Sequence, residues 1–296
     1  MNPKKPATTL LCTIQCLLIA SLLLFPLLTG CTCQVPEENP SPPVSPNTTA
    51  VPSEPSPTPP PQKQARAAIV DQLSVLNTNS VFLEQLTQEL NGYGLEVDIF
   101  KGEEITVEFY RELPTLDYQL IIFRAHSGLL SSEEGVVRVT TLFTNEPYSE
   151  VKHIGEQLAN RVAKARIGKD HPMIFSIKDS FVRKSMENSF DNTVIIMMGC
   201  SCIAIQDLAE AFMDKGASIY LAWDATVGLG YVDRATIYLF QQLCSQNLLV
   251  VDAVNATMDE IGADPLFGAR LRYFPKKNGA NTLAQLYDNS TIDFSH

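Results

Sequence analysis

Histidine is scarce in this chain, with four residues in 296, and tryptophan occurs once. Beyond Cys33 the cysteines are Cys200, Cys202 and Cys244, which give one close pair. That supply is too thin for a Cys/His zinc site, and the spacing is not that of a disulfide-stapled mini-domain. A bridge between Cys200 and Cys202 would be strained. Positive charge is also in deficit, with 22 Lys and Arg against 33 Asp and Glu and a formal net charge of -11. This balance argues against a nucleic-acid partner and against a basic membrane-surface patch. No glycine-rich turn carries a following Lys-Ser or Lys-Thr, so a phosphate-cradling loop is absent. Nothing in the composition calls for a cofactor or a metal, and no internal repeat is visible.

What is present begins with Lys4 and Lys5, followed by an apolar stretch from Leu10 to Leu28 broken by Pro26. This is the pattern of a secretory signal, and the small residues at its end suit a cleavage site. Leu28, Thr29, Gly30 and Cys31 together resemble the lipobox of prokaryotic lipoproteins, which implies lipidation of Cys31. A plain transmembrane anchor is the competing reading, because the stretch is nearly long enough to span a bilayer. Either way, the rest of the chain is expected outside the cytoplasm, held to the membrane. Residues 1–30 are then the signal, and 31–62 the lipidated cysteine with a Pro/Ser/Thr-rich spacer, expected to be extended and semi-rigid. Asn47, Asn255 and Asn289 stand in N-x-S/T contexts.

Residues 63–296 read as one α/β domain. AAIVDQL (Ala67 to Leu73), LEVDIF (Leu95 to Phe100) and YQLIIF (Tyr118 to Phe123) read as strands, separated by helical patterns at Val81 to Leu90 and Thr106 to Leu113. Strand, helix, strand, helix, strand is the pattern of a parallel sheet with right-handed crossovers. Gly135 to Phe143 reads as a hairpin strand, Val151 to Lys164 as an amphipathic helix, and MIFSIKDSF (Met173 to Phe181) as a strand. Val194 to Met198 is an unbroken apolar run, as expected of a strand covered on both faces. A helix at Asp207 to Lys215, a strand at Ala217 to Trp223 and a helix at Arg234 to Cys244 complete the pattern. The fold class is an open, mostly parallel sheet with helices on both faces and an insertion between its third and fourth main strands.

In such sheets ligands bind outside the carboxyl ends of the strands. His126 follows the third strand in LIIFRAHSG, and Cys200 ends the fourth in VIIMMGC. If those strands are neighbours, an imidazole and a thiol emerge at one edge. That pairing suits nucleophilic catalysis: a thiolate attacks a carbonyl, and the imidazole protonates the leaving amine. Backbone N–H groups near Gly128 and at Cys200 are candidate oxyanion donors, and Gly128 and Gly199 are expected to let a substrate backbone approach closely.

These two blocks, an apolar strand followed by His126 and Gly128 and another followed by a small residue and Cys200, resemble the caspase-related clan of cysteine peptidases. Clostripain, gingipains, legumain and separase belong to it. The resemblance covers roughly Ala67 to Cys244. It implies a caspase-hemoglobinase-like α/β fold, a His126/Cys200 dyad, and a protein or peptide substrate. Ser127 stands where many members have glycine directly after histidine, so either Ser127 or Gly128 is the implied oxyanion donor. Met198-Gly199 replaces the polar-plus-alanine pair common before the nucleophile.

Cys202 is the competing nucleophile, with a core residue as its plain reading. Asp224 and Trp223, at the next strand end, are candidate substrate-binding residues, Asp224 as the acid that selects a basic side chain. The alternative is that Asp224 caps a turn, while Asp233 is expected to cap the helix beginning near Arg234. His153 and His171 are expected on the surface. The leading expectation is a membrane-anchored, extracytoplasmic cysteine endopeptidase. A caspase-like module that binds peptide without cutting it is the alternative. A ligand-binding lipoprotein with two hinged lobes fits less well, since the domain is short for two lobes.

Overall fold

The computed structural model describes residues 64–131 and 138–287. The signal, Cys31, the spacer with Asn47, the hairpin residues 135–137, Asn289 and His296 lie outside them. Among the described residues no helix is long and apolar enough to cross a membrane.

The chain runs β1 (Arg66–Asp71), α1 (Ser80–Gly92), β2 (Glu96–Lys101), α2 (Val107–Glu112) and β3 (Leu120–Arg124). The insertion follows as β4 (Ser127–Ser131), β5 (Arg138–Pro147), α3 (Ile154–Leu158), β6 (Val162–Ala165) and β7 (Ile174–Lys178). Then come α4 (Asp179–Lys184), β8 (Thr193–Met197), α5 (Asp207–Asp214), β9 (Ala217–Trp223), α6 (Leu229–Phe240), α7 (Val250–Glu260), β10 (Leu271–Phe274) and α8 (Leu283–Tyr287).

The main sheet has the order β10-β9-β8-β3-β1-β2, parallel throughout except for the edge strand β10. Two apolar layers explain why its central strands carry no polar face. Ile69, Ile122, Ile196 and Leu221 look into one layer with Leu86, Val232 and Leu239. Their neighbours Val70, Phe123, Met197 and Ala222 look into the other with Tyr110, Phe181 and Phe212. All five residues of β3 and of β8 are buried. A strand covered on both faces can be apolar without interruption, because neither side meets water.

The insertion is a second, antiparallel sheet of order β4-β5-β7-β6. The helix expected over Val151 to Lys164 does not form. His153 and Asn160 adopt left-handed backbone conformations that interrupt it, leaving the short α3. Val162 to Ala165 instead pair with β7, whose apolar face gives Val162 and Ala165 a buried place. His153 is half-buried rather than superficial. Its ring nitrogen lies 3.0 Å from both Glu146 oxygens, and the ring packs edge-on against Phe175 at 5.1 Å.

Candidate active site

The last paired residues of β3 and β8 are Phe123 and Met197, and the Met198 N–H still donates to the Phe123 carbonyl at 2.8 Å. His126 and Cys200 thus follow the same rung by equal numbers of residues on adjacent strands, at the carboxyl edge. Gly199 sets their spacing. A Cβ there would stand 2.2 Å from Ser127 Oγ and 2.6 Å from the Ala125 carbonyl. The expectation that Gly199 serves an approaching substrate is therefore replaced: its missing side chain admits the segment that carries His126. At Gly128, by contrast, an added Cβ would meet nothing within 4 Å.

Ser127 ties the two strand ends together. Its hydroxyl donates to the Cys200 carbonyl at 2.7 Å and accepts from the Cys202 thiol at 2.9 Å. The loop beyond is held from β9, with Ser201 N–H on the Ala225 carbonyl and Ile203 N–H on the Trp223 carbonyl. Ser201 takes the left-handed conformation, at φ 55°, that turns the chain sharply after Cys200. The two cysteines separate as a result. Cys202 is fully buried on the α5 side, and burial pushes its thiol up to about 12. Cys200 is partly buried against the opposite apolar layer, and its thiol donates to the Val227 carbonyl at 3.8 Å. A thiolate is the nucleophilic form, so a thiol buried like Cys202 is inert at neutral pH.

His126 is held by its backbone. Its N–H donates to Gln72 Oε1 at 2.9 Å, and its carbonyl accepts from Phe143 N–H at 3.0 Å. Gln72 is itself fully buried, with its amide nitrogen donating to Asn145 Oδ1 at 2.7 Å. Burial, and after it the charge of His171, hold the imidazole below the ordinary histidine value. The ring is therefore neutral at pH 7 and able to accept a proton. Its ring nitrogens have no hydrogen-bond partner among the described residues, and the Cys200 thiol is directed to the Val227 carbonyl instead of to the imidazole. His171 is exposed, as expected.

A buried ion cluster lies directly under this edge. Arg124, two residues before His126, binds Asp233 through Nε and Nη2, both at 2.9 Å, and Asp71 through Nη1 at 2.8 Å. Asp233 therefore does not cap a helix. Helix α6 begins at Leu229, one residue after Gly228, and Asp233 sits inside it facing Arg124. Sequence reasoning passed over Arg124 and Gln72, although each is a polar residue at the end of a buried strand.

Trp223 is 2% exposed, pairs with Leu271 and packs edge-on against Tyr231 at 5.3 Å, so it belongs to the core and offers no surface to a substrate. The Asp224 carboxylate accepts from Arg270 N–H at 2.8 Å and pairs with Arg272 Nε at 2.9 Å. It ties the end of β9 to the start of β10, its antiparallel neighbour. Among the described residues there is no group of three or more His, Cys, Asp or Glu that could hold a metal ion.

No family model matches this chain, and no curated protein matches it. Among solved structures it is similar to the Arg-specific cysteine proteinase gingipain R, at 13% identity and a TM-score of 0.41, over 74% of this chain and 44% of that one. The complex of Porphyromonas gingivalis RgpB pro- and mature domains gives 13% identity, a TM-score of 0.38 and coverage of 74% and 45%. A flavodoxin of Streptococcus pneumonia TIGR4 gives 12% identity, a TM-score of 0.29 and coverage of 62% and 100%. The chain spans less than half the length of the two proteinase chains. Likenesses this distant carry no argument about chemistry, which rests on the residues themselves.

Proposed function

We propose that the domain is a cysteine endopeptidase with His126 and Cys200 as its dyad, tethered outside the cytoplasm by a lipid on Cys31. The observation that carries this reading is the sorting of the two thiols. At the end of β8 one cysteine is sealed in the core, while Cys200 is only partly buried, on the edge it shares with His126. A neutral His126 takes the Cys200 proton. The thiolate adds to the scissile carbonyl carbon, forming the C–S bond and an oxyanion, and the oxyanion then collapses as the C–N bond breaks and the imidazolium gives its proton to the leaving amine. Water then cleaves the thioester, releasing the acid and restoring the thiol. Backbone N–H groups at Ser127, Gly128 and Cys200 are the candidates for the oxyanion.

A second reading, a peptide-binding module without catalysis, is favoured by one observation: the Cys200 thiol is engaged by the Val227 carbonyl rather than by imidazole. Catalytic hydrogen bonds often tighten only when substrate is bound, so this geometry does not decide against the first reading. The test incubates the reduced full chain with a diverse peptide mixture and reads the products by mass spectrometry. Cleavage is expected from wild type and Cys202→Ala, and is expected to vanish in Cys200→Ala and His126→Ala. Cleavage that persists in Cys200→Ala, or wild type that neither cuts peptides nor reacts with a peptidyl electrophile, overturns the peptidase.

A further inference from the structure

Scattered apolar side chains are ordinary on a protein surface; two adjacent large pairs stand exposed among the described residues, Val75–Leu76 and Leu266–Phe267, and the second is tied to the segment that touches Cys200. Leu266 is 79% exposed and Phe267 52% exposed, in the loop between α7 and β10. That loop lies at the carboxyl edge of the sheet, because the Asp224 N–H at the end of β9 donates to the Arg270 carbonyl. His126 and Cys200 are on the same edge.

Asp264 makes this turn rigid. The residue is 2% exposed, and its Oδ1 accepts from Leu266 N–H at 2.8 Å and Phe267 N–H at 2.9 Å. Its backbone carbonyl accepts from Gly268 N–H at 2.7 Å, and its N–H donates to the Ala269 carbonyl. The other carboxylate oxygen reaches across to the loop before α6, accepting from Gly228 N–H at 2.8 Å. The residue before Gly228 is Val227, whose carbonyl receives the Cys200 thiol. One carboxylate thus fastens the apolar pair to the segment that touches the nucleophile.

We infer that Leu266 and Phe267 form the apolar wall of a substrate subsite, so that the peptide cut at Cys200 carries a bulky apolar side chain close to the scissile bond. The inference rests on the peptidase reading and names its substrate class. Charge supports it from the other side. The acid at the end of β9, Asp224, already holds a partner in Arg272, in a pair whose side chains are 30% and 50% exposed, so a basic substrate group would have to compete with that arginine. A wall held in place before binding also loses little conformational entropy when a side chain packs on it.

The test measures kcat/KM of the full chain for peptides alike except for Leu, Phe, Gly or Arg at successive positions around the cleaved bond. Wild type is expected to favour Leu and Phe over Gly by about tenfold to 100-fold at one position, the range typical of an apolar contact. Leu266→Ser with Phe267→Ser is expected to bring that ratio near one. Both residues are exposed, so an unchanged thermal midpoint is the control for folding. Cleavage with no apolar preference, with an Arg preference, or with a Leu/Gly ratio that survives the double substitution overturns the subsite and leaves the peptidase standing. Loss of self-association with the ratio unchanged also overturns it, making the pair a contact between copies. Absence of cleavage together with an inert Cys200 overturns both.

Discussion

Replacing Arg124 by methionine removes the cation that binds two buried carboxylates directly, and the size of the loss follows from the geometry. The side chains of Arg124 and Asp71 are 0% exposed and that of Asp233 is 7% exposed. The guanidinium makes two parallel bonds to Asp233, one to Asp71 and one of 3.0 Å to the Asn77 carbonyl. Breaking a buried pair by deleting one partner costs about 3–5 kcal/mol, because the remaining charge is left without compensation. For a domain of this size that corresponds to a thermal midpoint lowered by roughly 6–20 °C. The assay is thermal and urea unfolding of the full chain, with a second variant in which Arg124→Met is combined with Asp71→Asn and Asp233→Asn. Removing the stranded charges as well is expected to recover part of the loss. A single variant that loses less than about 1 kcal/mol, within the range of exposed pairs, would refute the claim that this cluster fastens β1, β3 and α6 beneath the site. The cluster also has a pH consequence. Burial, opposed by Arg124, holds the Asp71 carboxyl above the usual carboxylate range, and Asp71 Oδ2 has no hydrogen-bond partner among the described residues. Stability from a raised group is fully present below its unfolded value, about 3.9, and is lost as pH rises through the folded value. Asp71→Asn is expected to abolish that loss, so the stability of the variant relative to wild type should rise through the same interval.

Iodoacetamide at neutral pH is expected to label Cys200 in the folded chain and to spare Cys202 and Cys244, whose thiols burial pushes up to about 12; peptide mapping that finds Cys202 labelled first would contradict the sorting of the thiols. Gly199→Ala places a methyl 2.2 Å from Ser127 Oγ and is expected to cost about 1–3 kcal/mol by overpacking. Gly128→Ala meets nothing within 4 Å, and urea unfolding should find it within about 0.5 kcal/mol of wild type. Burial would raise the Asp264 carboxyl, but the N–H groups of Gly228, Leu266 and Phe267 hold it below the usual range. Its stabilisation is present above the unfolded value, about 3.9, and is lost as pH falls through the depressed folded value. Asp264→Asn should therefore flatten the acid limb of a midpoint-against-pH curve, and an unaltered limb would count against the clasp.

The main sheet was legible because its physics is local in sequence. A strand buried on both faces must be apolar at every position, and β3, β8 and β9 announce themselves as such runs. That β3 and β8 are neighbours then placed His126 and Cys200 on one edge. The insertion was less legible, since Val162 and Ala165 have helical spacing relative to Leu158, and only pairing with β7 turns them into a strand. Elements after Cys244 were not read at all. Helix α7, strand β10 and helix α8 take their places from contacts with layers laid down much earlier in the chain.

Asp233 shows why the site was harder to read than the fold. An aspartate before a helical pattern is a cap whenever its only partners are the N–H groups just ahead, and that was the sequence expectation. Here its partner is Arg124, 109 residues away, and the helix has already begun four residues earlier. For Asp224 the sequence left capping and substrate binding both open, and its partner Arg272 is likewise distant, by 48 residues. An acid near a predicted cleft is thus open to two readings until the cations that face it are known. In this chain Arg124 meets Asp233 in the core, and Arg272 meets Asp224 at the surface. Long-range pairing, invisible in the local pattern, gives Asp224 a cation of its own and so weakens the ground for expecting a basic substrate side chain there.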